Sequence, residues 1–114
     1  MTEGKLVRDL IPELIRQSGR NPNVRHISGD DLVRALGAKL IEEAQEAAAA
    51  LTNRDELIEE LADLSEVIAV VMKIRGINVQ EVTDAAAAKA GLRGRFETGA
   101  WLISPVSAGG TDHS

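Results

Sequence analysis

Leu40-Ile41-Glu42-Glu43-Ala44-Gln45-Glu46-Ala47, followed fourteen residues after Glu46 by Glu60-Leu61-Ala62-Asp63, decides how this chain reads. Both blocks lie inside strongly helical sequence. Helical residues step by about 100° each. On the first long helix, Leu32, Leu36, Leu40, Ala47 and Leu51 form one apolar stripe. Glu43 falls on that stripe, Glu46 at its flank and Glu42 further round. On the second, Leu57, Leu61, Leu64, Ile68 and Val71 form a face that Val67, Val70 and Ile74 extend, and Glu60 and Asp63 project into the extension. Glu59 and Glu66 point roughly the other way and are expected to be solvated.

Ionised carboxylates buried without partners cost several kcal/mol each. Few basic residues share these stripes, Lys39 being the nearest. Two antiparallel helices would bring the i,i+3 pairs Glu43/Glu46 and Glu60/Asp63 face to face. Four carboxylate groups suit one or two hard cations, Mg²⁺ or Mn²⁺. Magnesium commonly completes its shell with water and substrate phosphates, so the pattern implies a phosphorylated ligand. Acidic runs on helices are usually solvated faces, but the double spacing and the inward angles oppose that reading here. A di-iron bundle would want Glu-x-x-His on two helices, and the histidines, His26 and His113, fall in a loop and a tail. His26 has no partner pattern and reads as structural or exposed.

Working outward, Thr52-Asn53 separates the two long helices, expected to run from near Asp30 or Asp31 to about Leu51 and from Arg54 to Arg75. Ser28 or Asp30 would cap the first, Thr52 or Asn53 the second, and Gly76 would end the second. A third helix is expected over Val79 to Ala90, with Asn78 as cap and Gly91 as stop. Upstream, Asp9 could cap a short helix that has Pro12 in its first turn and stops at Gly19. Residues 19–29 read as a loop with a short extended piece at Val24–Ile27. The expected domain spans 1–103, with Trp101-Leu102-Ile103 as an apolar anchor and 104–114 as a mobile tail. Phe96 and Trp101 read as core or dimer contacts rather than base-stacking platforms.

The 114 residues suffice for about one domain. The single Phe, single Trp and abundant Ala, Leu, Ile and Val fit an all-α helical bundle. A net charge of -5 disfavours binding a nucleic-acid polymer through a basic surface. No cysteine is present, so disulfides and thiolate metal sites are excluded. No membrane span is legible, and no secretory leader precedes the first motif. The expected location is cytoplasmic.

Glu42-Glu43-x-x-Glu46 followed by Glu60-x-x-Asp63 resembles the signature of the MazG-like all-α nucleoside triphosphate pyrophosphohydrolases. The opening Lys5-Leu6-Val7-Arg8-Asp9-x-Ile11-Pro12 and the later Lys89-x-x-x-Arg93-Gly94-x-Phe96 are similar to a phosphoribosyl-ATP pyrophosphohydrolase-like subgroup. The resemblance covers about residues 5–103. Arg95 departs from it, standing where that subgroup often has a second glycine. The resemblance implies a bundle that forms a homodimer or a dimer of dimers. It also implies Mg²⁺-dependent cleavage between the α and β phosphates of a nucleotide. Carried over by position, Glu43, Glu46, Glu60 and Asp63 become metal ligands, and Glu42 a general base or supporting carboxylate. Lys5, Arg8, Lys89 and Arg93 become candidates for clamping phosphates, against the plainer reading of each as a surface charge. A housecleaning role on non-standard or surplus nucleotides is expected. The alternatives are the histidine-biosynthetic hydrolysis of phosphoribosyl-ATP and a non-catalytic helical dimerisation or regulatory module.

Overall fold

The computed structural model describes residues 4–104. They form four helices: α1 (Ile11–Gln17), α2 (Gly29–Ala49), α3 (Arg54–Arg75) and α4 (Val79–Arg93). No strand occurs among the described residues, and Val24–Ile27 lies in the loop that precedes α2. Two compact units result, one through Asn78 and one from Val79 onward. The tail expected over 104–114 lies, apart from Ser104, outside the described residues.

The first unit is built on an α2–α3 hairpin. Asn53 starts α3 as expected, its side-chain oxygen accepting the backbone N–H of Glu56 at 3.1 Å. Gly76 ends it in the left-handed region at φ 68°, the conformation a residue with a Cβ avoids. The short link 50–53 makes the long helices antiparallel neighbours. They meet along a seam with coiled-coil spacing. Leu36, Ala47, Ala50 and Val67 are its buried apolar members, and Glu43 is buried among them. Leu57, Leu64 and Val71 are half-buried on α3. The alanines allow close approach.

Several boundaries differ from expectation. Leu10, not Asp9, occupies the cap position of α1, and its side chain makes no capping hydrogen bond. The first turn is instead fixed by the backbone bond from Ile11 N–H to Arg8 C=O, 3.0 Å. Ser28 precedes α2 in extended conformation but also makes no side-chain cap bond. α4 runs through Gly91 to Arg93, because Gly91 takes no positive φ and the left-handed glycine is Gly94, φ 78°. Leu51 is exposed: α2 ends at Ala49, and the turn rotates Leu51 out of the stripe. Leu61 and Ile68 are also exposed, since the seam covers a narrower arc than the apolar face of α3. Phe96 and Trp101 are exposed as well, which removes the core reading for both.

Candidate metal centre

Glu43 occupies a seam position of α2 one helical turn from Leu40 and another from Ala47, which is why it is buried. Its side chain retains 7% exposure. Glu60 occupies a seam position of α3, a heptad before Val67, and is half-buried with Asp63. The antiparallel pairing brings these acids together. Oxygen atoms of Glu43, Glu60 and Asp63 lie within 4.8 Å of one another, and so do those of Glu42, Glu43 and Glu46. Glu43 belongs to both triads. Glu46 is exposed, at the flank of the seam.

Basic partners satisfy only part of this charge. Lys39 Nζ lies 3.4 Å from Glu42 Oε1 and 3.4 Å from Glu43 Oε1. Burial opposes the Lys39 charge, but the hydrogen bonds and charges of Glu42 and then Glu43 outweigh it, so its pKa lies above the ordinary value. Arg8 Nη2 donates to Asp63 Oδ1 at 2.8 Å, and that bond holds the guanidinium still more firmly charged. Left over are Glu43 Oε2 and Glu60 Oε2, both buried and both without a hydrogen-bond partner. Unpaired buried carboxylate oxygens are costly. An all-oxygen donor set aimed into one place fits a hard divalent cation.

Glu60 registers the same crowding. Its pKa is raised above 4.5, first by the hydrogen bond that only a protonated Glu60 could share with Glu46, then by burial, then by the charges of Glu46, Asp63 and Glu43. A hydrogen bond between two carboxyl groups needs a proton, so the folded, metal-free chain favours protonated Glu60 more than the unfolded chain does. For an acid raised on folding, the folded state binds more protons inside the window, and stability falls as pH rises. Metal-free melting temperature should therefore decline as pH climbs from about 4.5 through the raised Glu60 value. Mg²⁺ should flatten the decline; thermal melts across that pH range, with and without the ion, check this.

An open cleft of about 310 Å³ borders the acids. Lys5, Arg8, Lys39, Glu43, Asp63 and Glu66 supply its polar lining, and Val7, Ile11 and Val67 its apolar lining. Of the expected site residues, Glu42, Glu43, Glu46, Glu60, Asp63, Lys5 and Arg8 are thus gathered around one region of the first unit. Lys89 and Arg93 lie on α4, i,i+4 and exposed, in the second unit. Two residues need correction. Glu66 is exposed as expected, yet it lines the cleft and adds to the field on Arg8, so it does not stand clear of the site. Lys39 is a paired member of the cluster rather than only the nearest base; its i,i+3 and i,i+4 spacing to Glu42 and Glu43 was the available signal. His26 is exposed.

This fold and site define an all-α protein with a shared carboxylate cluster, of the MazG-like all-α NTP pyrophosphatase kind. The chain belongs to the phosphoribosyl-ATP pyrophosphohydrolase family, matched over residues 11–90. That span contains all five acids of the cluster and Lys39; Lys5, Arg8 and Arg93 fall outside it. The chain is similar to an uncharacterized protein of Mycolicibacterium smegmatis, 56% identical over 55 residues, which cover 48% of this chain and 55% of that protein. The chain thus spans about half the length of that relative. No solved structure matches it.

Proposed function

We propose that this protein is a Mg²⁺-dependent nucleotide pyrophosphohydrolase, with Mn²⁺ as an acceptable substitute, cleaving the α–β anhydride of a nucleoside triphosphate. Water adds at phosphorus, the bridging P–O bond breaks, and monophosphate and pyrophosphate leave. The observation that carries this reading is the pair of buried, partnerless oxygens, Glu43 Oε2 and Glu60 Oε2, inside a cluster of acids.

Glu43, Glu46, Glu60 and Asp63 would hold the cation. When bound, the ion would neutralise phosphate charge and acidify water. Glu42 accepts the proton of the attacking water; Lys39, 3.4 Å from its Oε1, fixes its direction. Lys5 and Arg8 at the cleft bind phosphate oxygens; Lys89 and Arg93, on α4 of the second unit, are phosphate-binding candidates by family resemblance alone. The working unit is the helical domain 1–103, as a homodimer or dimer of dimers in the cytoplasm. No helix among the described residues is long and apolar enough to cross a membrane.

The acid cluster recognises a metal-bound phosphate chain and leaves base and sugar open, which suits removal of non-standard or surplus nucleotides. A second reading, hydrolysis of phosphoribosyl-ATP in histidine biosynthesis, is favoured by the description of the matched family. A panel of standard, deoxy and modified triphosphates together with phosphoribosyl-ATP, scored for pyrophosphate, tests both. Release from triphosphates is expected under Mg²⁺. Release confined to phosphoribosyl-ATP would select the second reading, and none from any nucleotide with Mg²⁺ or Mn²⁺ would overturn the enzyme.

A further inference from the structure

Arg8 has two claims on it: it lines the cleft where phosphates are proposed to bind, yet its guanidinium is bonded to a proposed metal ligand, Asp63, at 2.8 Å. A divalent ion taking that carboxylate would meet the like charge of the guanidinium bonded to its Oδ1, so the two cations compete for Asp63. Both partners are about half exposed, at 58% and 43%, so the pair is free to open. Backbone does not tie the side chain down: the α1 start uses the Arg8 carbonyl, not its guanidinium. On release, the guanidinium stays beside the cleft, where Lys5 also lies.

We propose that Arg8 is a placeholder cation on Asp63 that the divalent ion displaces, and that the displaced guanidinium becomes a phosphate anchor for the nucleotide. Metal-free protein keeps Arg8 engaged and offers phosphate a weakened site. Loading of metal at Asp63 frees Arg8 and so couples metal binding to nucleotide binding. Because coupling between two ligands is reciprocal, nucleotide capture of Arg8 tightens the metal in turn. This rests on the metal-site reading given above and adds a competition which that reading does not require.

The test is calorimetric titration of Mn²⁺ alone into wild type, R8Q, R8K and K5Q at about 0.15 M salt, where the field of distant exposed charges is screened. The size of exposed ion pairs sets the expectation: R8Q should bind Mn²⁺ about two- to fivefold more tightly than wild type. R8K should fall between R8Q and wild type, since a lysine makes a weaker, non-planar contact. K5Q removes the same charge from the same cleft without touching Asp63, and its affinity should stay near wild type. Equal tightening in K5Q and R8Q would show only a change of field and would overturn the placeholder. Unchanged or weaker Mn²⁺ binding in R8Q, with wild type binding normally, would overturn it while leaving the metal site standing. Absence of Mn²⁺ binding in every protein would overturn both.

Discussion

Replacing Glu43 by glutamine is expected to lower pyrophosphate release at least about 100-fold. Residues that merely support metal ligands typically contribute 10- to 100-fold, and Glu43 is the one acid common to both oxygen triads. The substitution is nearly isosteric, so packing against Leu36 and Ala47 is kept. It also removes a charge with one orphaned oxygen at 7% exposure. The new amide can donate to Glu60, and Lys39 keeps Glu42. Metal-free stability should therefore hold or rise, by about 1 kcal/mol, equivalent to roughly 4–8 °C for a unit of this size. Activity and melting temperature moving in opposite directions is the signature. A variant that loses stability along with activity would make Glu43 a structural acid held by Lys39.

The second large effect is stabilisation by the ion itself. A ligand that binds only the folded chain stabilises it by RT ln(1 + [L]/Kd), about 2.7 kcal/mol at a hundredfold excess over Kd. Removing divalent ions should lower the melting temperature of wild type by several degrees, and millimolar Mg²⁺ should restore it. E43Q should show little response. A wild-type melting point unchanged over millimolar Mg²⁺ would favour the non-catalytic helical module, in which the acids coordinate nothing. Against that module stands the cost of keeping Glu43 and Glu60 with partnerless oxygens in a seam that hydrophobic residues would fill more stably.

Much of this was legible in the residues. Asn53 and Gly76 mark the ends of α3 because capping and left-handed backbone demand those side chains locally. The burial of Glu43 followed from angle alone, and so did the exposure of Glu59. What escaped the sequence depends on tertiary contact. Arg8 and Asp63 are 55 residues apart, and no periodicity links them. The exposure of Leu61 and Ile68 depends on how wide an arc the partner helix covers, whereas a helical projection counts every apolar residue alike. Gly91 looked like a stop but continued the helix, since a glycine permits the left-handed turn without requiring it. Glu66 was separated from the site by angle, but Arg8 and its cleft reach round to that side of α3.

The most direct test of the central claim is the paramagnetic resonance signal of free Mn²⁺ during titration into metal-free protein. Wild type is predicted to deplete that signal, Mg²⁺ to restore it by competition, and E60Q, which neutralises the second orphaned oxygen, to deplete it far less. If wild type leaves the free-ion signal untouched at millimolar protein, or if E60Q depletes it equally, the acids of α2 and α3 are not a metal site and the account is wrong.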